Sequence, residues 1–225
     1  MTEIKLSRRL RAAADFVRQG AVVADVGTDH AYLPIALCQS GHALSAVASD
    51  INEGPILRAC EHVAEYGLQD KIATVRCDGL AEIAPYEPTD ILVLGMGGEL
   101  IVHILDGAPW LKQTGRRIIL QPMTHPEAVR RYLAENGFAI VDECLVEEGK
   151  IYQIIVAEYT GEPYELSALA LLIGEKNLCR GDALTRATCE RFANVFAERL
   201  RGKQMAGADT SEEEFMITQL EEYTS

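Results

Sequence analysis

The feature that most constrains this chain is an alternation of two periods. Short apolar runs closed by Gly or Asp alternate with helical stretches of roughly 8 to 13 residues. The predicted strands are Val22–Val26, Leu44–Ser49, Ile72–Arg76, Asp90–Leu94 and Arg117–Leu120. Between and after them the pattern predicts helices over Tyr32–Gln39, Pro55–Tyr66, Gly98–Leu105 and Pro126–Asn136. Two further strands, Ala139–Glu147 and Lys150–Tyr159, meet across Glu148-Gly149, a hairpin-like turn. Strands separated by helices pair in parallel, so the chain should form an α/β sheet with helices on both faces.

The closing hairpin reverses one strand. A seven-stranded sheet with a reversed terminal strand is the Class I methyltransferase arrangement, a Rossmann-like sheet. A helix over residues 7–19 should precede it, with Ser7 as cap and Leu10, Ala14 and Val17 on one face. Its other face carries Arg8, Arg11 and Arg18, and Gly20 stops it. After Gly161-Glu162-Pro163 the strand pattern ends, which divides the chain into 1–160 and a helical domain over 161–225. That second part reads as helices Leu166–Leu178, Ala183–Arg201 and Ser211–Glu222, the last capped by Ser211 with Glu214 in the capping-box position.

Charge is distributed unevenly. The net −13 of the 225 residues argues against a chain that coats nucleic acid along its whole surface. Residues 1–20 are nevertheless net +3, and residues 175–204 are also net +3, flanking a body at 21–160 of net −11. If the two positive regions meet, they make a local basic surface on an acidic protein. Six cysteines at 38, 60, 77, 144, 179 and 189 form no CxxC pair, so neither a metal site nor a disulfide framework is expected. They read as buried residues in a reducing compartment. No signal peptide and no membrane-length apolar run is evident, so a cytoplasmic protein is expected; oligomeric state is not legible.

The strand ends carry the chemistry. The first ends in Asp25-Val26-Gly27-Thr28-Asp29-His30, where a glycine lets a ligand approach the backbone beside a helix N-terminus. The second ends in Asp50-Ile51-Asn52; a carboxylate there can accept both hydroxyls of a ribose, or serve only as a turn residue. The third ends in Asp78-Gly79, placing an acceptor where an adenine amine would lie. The fourth ends in Gly95-Met96-Gly97-Gly98 and lacks the lysine of a phosphate-binding loop. There is no GxGxxG, and three carboxylates would crowd a pyrophosphate. The spacing therefore suits S-adenosylmethionine better than a dinucleotide.

Ser7-Arg8-Arg9-Leu10, Asp25-Val26-Gly27-Thr28-Asp29-His30-Ala31-Tyr32-Leu33-Pro34, Asp78-Gly79-Leu80, Gly95-Met96-Gly97-Gly98, Leu120-Gln121-Pro122 and Glu148-Gly149-Lys150-Ile151-Tyr152 follow in that order. Over residues 4–160 this set resembles the bacterial TrmK family of tRNA (adenine-22, N1) methyltransferases. The helical tail resembles the family's C-terminal domain only in position, length and helicity. The resemblance implies S-adenosylmethionine as cofactor, bound at the four strand ends, and tRNA as substrate, with no membrane and no metal. From its place in the first loop, beside the methyl end of the cofactor, Asp29 is expected to meet the target base, with His30 orienting it or capping the helix and Tyr32 stacking or edging the base. Arg8, Arg9, Gln121, Met123, His125, Lys176 and Arg180 are expected on the substrate side, where Arg186 and Arg191 are further basic residues of the tail. Met123 stands where many members carry Asn. His103 reads as structural. Other readings are a Class I methyltransferase for another RNA position or a small molecule, a non-catalytic binding module, and an NAD-dependent oxidoreductase.

Overall fold

The computed structural model describes residues 4–224. Its strands are β1 (Ala21–Val26), β2 (Ala43–Asp50), β3 (Ile72–Arg76), β4 (Asp90–Gly97), β5 (Arg117–Thr124), β6 (Phe138–Glu148) and β7 (Lys150–Tyr159). They form one sheet in the order β3-β2-β1-β4-β5-β7-β6. β1 to β5 are parallel; β7 enters antiparallel beside β5, with Arg117 opposite Glu158 and Leu120 opposite Ile155. This is the Rossmann-like sheet with a reversed hairpin strand that the pattern predicted. Central strands buried on both faces explain the unbroken apolar runs Ala21–Ala24 and Ile91–Leu94.

Helices α2 (Tyr32–Gln39) and α3 (Glu53–Glu65) cover one face. That core contains Val23, Leu33, Ile35, Val63, Leu92 and Ile119. On the other face α4 (Gly98–Asp106) and α5 (Pro126–Glu135) bury Val26, Ile91, Val93, Ile101, Leu120 and Leu133. The parallel strands therefore end together on one edge, at Val26, Asp50, Arg76, Gly97 and Thr124.

The first helix is shorter than expected. α1 covers Arg8–Ala14, with the Ser7 hydroxyl accepting the Leu10 N–H. The chain then turns so that Val17 enters the core and Arg18 reaches Asp90. Arg18 donates twice to the Asp90 carboxylate and to the carbonyls of Thr89 and Gly115, so it joins no free basic face.

The expected helix 166–178 is two helices, α6 (Ala168–Ile173) and α7 (Glu175–Arg180). They break at Gly174, whose φ is +97° and where any Cβ would collide with the Glu143 carboxylate. α8 (Ala183–Ala206) and α9 (Ser211–Glu221) follow, and Thr210 rather than Ser211 is the residue before the last helix. These helices share a core of Leu169, Ile173, Cys189, Phe196, Met216 and Leu220.

The helical part is fastened to the sheet through one buried cation. Arg130 of α5 donates to Glu143 of β6 (2.7 Å) and Gln153 of β7 (2.7 Å). It also donates to the carbonyls of Leu171, Leu172 and Ile173 at the end of α6. The linker is tied as well: Tyr164 N–H donates to the Ala134 carbonyl, and its hydroxyl accepts the Ile140 N–H. Not every cysteine is buried. Cys38, Cys77 and Cys189 are, whereas Cys60 and Cys179 are exposed; all six are free thiols.

Candidate active site

Four strand ends present the expected groups at one edge. Asp25, the penultimate residue of β1, is buried, and burial pushes its carboxyl up to about 6 against a smaller opposing effect of the Thr28 hydroxyl. Gly27 follows with φ +78°, and a Cβ there would collide with the Met96 methyl. Glycine suits residue 27 for its left-handed backbone, and the Met96 methyl fills the space a side chain would take. Asp50 ends β2 half-buried, its Oδ1 accepting the Asn52 N–H at 2.7 Å. Asn52 contributes that main-chain contact; its own side chain is exposed and caps nothing. Asp78 and Gly79 follow β3, with the Asp78 side chain exposed. Gly95 (φ +76°), Met96 and Gly97 close β4, and Gly97 is the residue before α4.

The first loop is organised differently from expectation. Asp29 does not face the site as a free acceptor. Its Oδ1 accepts from Arg58 of α3 at 2.7 Å, and its Oδ2 lies 3.0 Å from His30 Nε2. The Arg58 hydrogen bond holds the Asp29 carboxyl below its ordinary value. That contact places His30 against Asp29 and not at the start of α2, where Ala31 precedes the helix in a left-handed conformation. The Tyr32 ring stacks on His30 (5.1 Å) and on His62 of α3 (5.2 Å). His62 Nδ1 also lies 3.1 Å from the His30 carbonyl. His62 and Arg58 were missed because they belong to the apparently ordinary polar face of a helix some 30 residues away.

The basic residues divide into two groups. Arg9 is half-buried: its N–H donates to Glu148, its Nη1 donates to Gln121 Oε1 at 2.7 Å, and its guanidinium lies over the Tyr152 ring. It is therefore part of the sheet edge and not of a solvated face, whereas Arg8 is exposed. Gln121 is fully buried and spends its amide on Arg9, the Pro122 carbonyl and the Met123 sulfur, so it does not face a substrate. Arg180 is likewise spent, on the Glu143 carbonyl, Asn177 and Asp142. Lys176 is exposed on α7, its N–H donating to Glu143.

A cleft of about 440 Å³ opens instead between the rim loop after β5 and the helical part. Met123, Thr124, His125 and Arg131 line one side; Arg191, Phe192, Arg199 and Met216 line the other. His125, in a left-handed backbone conformation, pairs with Glu127 at 3.0 Å. Of the two positive regions of the sequence, α1 and α8 each pack against β6. His103 is exposed on α4 beside Asp78. Among the described residues no three His, Cys, Asp or Glu side chains gather as a metal site, and no helix is long and apolar enough to cross a membrane.

Residues 6–155 match the family described as a methyltransferase domain. The tRNA (adenine(22)-N(1))-methyltransferase of Bacillus subtilis (strain 168) is 43% identical over 160 residues, which span 70% of this chain and 67% of that protein. The chain belongs to the TrmK family. The crystal structure of B. subtilis TrmK superposes with a TM-score of 0.84 at 32% identity, covering 99% of this chain and 97% of that one. M. capricolum TrmK in complex with S-adenosyl-homocysteine superposes at 0.82 and 25% identity, covering 97% of each. Both superpositions extend through the helical part, so this chain has the TrmK architecture from end to end.

Proposed function

We propose that the protein transfers the methyl group of S-adenosylmethionine to N1 of adenine 22 in tRNA. The observation that carries this is the order of groups along one sheet edge: Asp78, Asp50, Asp25 with Gly27, then Gly95 to Gly97, on β3, β2, β1 and β4. These groups fit the cofactor. Gly27 and Gly95 leave the backbone open to its methionyl end, Asp50 can hold the ribose, and exposed Asp78 can accept the adenine amine. Relatives reinforce the reading: the B. subtilis protein carries the tRNA activity in its name, and the M. capricolum enzyme holds the cofactor product.

When bound, the cofactor supplies a methyl carbon on a cationic sulfur. N1 of neutral adenine has its own lone pair, so the chain needs no strong base. Its task is to hold the acceptor in line and keep water away. The cleft between the β5 rim and α8 suits a nucleic acid whose target base leaves its stack. Arg191 and Arg199 would meet phosphates there, with Phe192 available as a stacking surface. Asp29, held by Arg58 and His30, shapes the first loop beside the site. Six free thiols and a tRNA substrate are what support a reducing, cytoplasmic setting for this activity.

The test is methyl transfer onto unmodified tRNA transcripts followed by nucleoside mapping. One methyl at N1 of adenine 22 is expected, and transcripts with that adenine replaced should be inert. Methylation of those replaced transcripts would overturn the assignment.

A further inference from the structure

Residue 31 carries the strain of the first loop. Ala31 is fully buried and left-handed, with φ +54° and ψ +21°, a conformation that costs any residue with a Cβ. Such a residue persists only where its surroundings over-determine it. Within the loop one bond helps, from the Ala31 N–H to the Thr28 hydroxyl at 3.1 Å. The rest of the support comes from α3. Arg58 donates to the Asp29 carboxylate at 2.7 Å, and His62 brings Nδ1 to 3.1 Å from the His30 carbonyl. The His62 ring also stacks at 5.2 Å on both His30 and Tyr32, with interplanar angles of 23° and 17°. A spacing of four puts both side chains on one face of α3. That face grips Asp29, His30 and Tyr32 on either side of the strained alanine, and Glu61 beside it points elsewhere and is exposed.

We propose that Arg58 and His62 are positioning residues for methyl transfer. They hold the first loop in the one strained arrangement that leaves room for the methyl carbon and its acceptor nitrogen to line up. Neither side chain needs to touch the reacting atoms; both act through Asp29, His30 and Tyr32. The consequence is selective. A loosened loop visits the aligned state less often, but no cofactor or phosphate contact is removed, so the rate at saturation falls while both affinities hold. The inference rests on the methyltransferase reading above.

The test compares wild type with Arg58→Ala, His62→Ala and the double variant. Single-turnover methyl transfer onto unmodified tRNA is measured at saturation, cofactor and tRNA affinities are measured separately, and amide hydrogen exchange is followed over residues 27–33. The residues that α3 buries are Ala59 and Val63, so these variants keep its core contacts, and melting temperatures check that they are folded. Each single variant should lose rate by about tenfold and the double variant by about a hundredfold, the scale of a small misalignment. Both affinities should stay within about twofold, and exchange over the loop should quicken. Arg58→Lys, which keeps a cation, and His62→Phe, which keeps a stacking ring, should each recover part of the rate. Glu61→Ala should change nothing. A folded double variant with the wild-type rate overturns the proposal. So does a rate loss matched by lost affinity for tRNA or cofactor, which would make these side chains ligand contacts. Unchanged loop exchange in the double variant overturns it too, with or without activity. A wild type that methylates no tRNA overturns the methyltransferase reading instead, and the exchange comparison still decides the grip.

Discussion

Replacing Arg130 by Met should reveal what attaches the helical part to the sheet. Both Arg130 and its partner Glu143 have fully buried side chains. The substitution removes a charge-assisted bond to Glu143, another bond to Gln153, and the donors to three carbonyls that end α6. Breaking a buried ion pair from one side costs about 3–5 kcal/mol, because the remaining charge keeps its desolvation penalty. Glu143 would retain only the Lys176 N–H, at 3.2 Å. Urea unfolding should therefore show a loss of about 3–5 kcal/mol for Arg130→Met. The double variant Arg130→Met with Glu143→Leu should recover much of it, since it removes the stranded charge as well. A loss below about 1 kcal/mol, typical of a surface ion pair, would refute the argument. So would a double variant no more stable than the single one.

Asp25→Asn should stabilise the ligand-free protein at pH 7. The folded carboxyl titrates near 6, above its unfolded value of 3.8, so the native state binds more protons between those values and loses stability as pH rises through them. The full penalty, up to about 3 kcal/mol, is present above pH 6 and should vanish from the difference between wild type and variant below pH 4, read by thermal melts across pH. Gly27→Ala should cost about 1–2 kcal/mol for the left-handed backbone and should weaken cofactor binding, because the new methyl meets Met96; calorimetry at unchanged affinity would contradict this. Arg191→Ala with Arg199→Ala should leave cofactor affinity intact and flatten the salt slope of tRNA binding by about two.

The two periods were sufficient for the sheet. Tyr32–Gln39, Ile72–Arg76 and Lys150–Tyr159 lie where the sequence places them, because each is bounded by a Gly, Asp or Pro signal and buries a regular pattern. β4 and β5 run on to Gly97 and Thr124, past glycines and a proline that read as loop, because neighbouring strand ends pair there in an irregular register. The strand-end carboxylates were visible because their spacing follows from the fold. The orientation of Arg9 was not, since its partners lie 112 and 139 residues away. Nor was the withdrawal of Asp29 toward α3, which depends on Arg58 lying across the groove. In the tail, composition located the positive charge, but only packing separated spent Arg180 from Arg191 and Arg199 in the cleft.

The Arg130 junction also bears on how such a protein can change over generations. Its cation is shared by α5, β6, β7 and the last turn of α6, so no member can drift alone without leaving charge or carbonyls stranded. Gly174 belongs to the same group, because the space its side chain would take is filled by Glu143. Residues 130, 143, 153 and 174 should therefore be inherited as a block. Loss of the helical tail would require the sheet to be rebuilt at its far edge rather than merely trimmed.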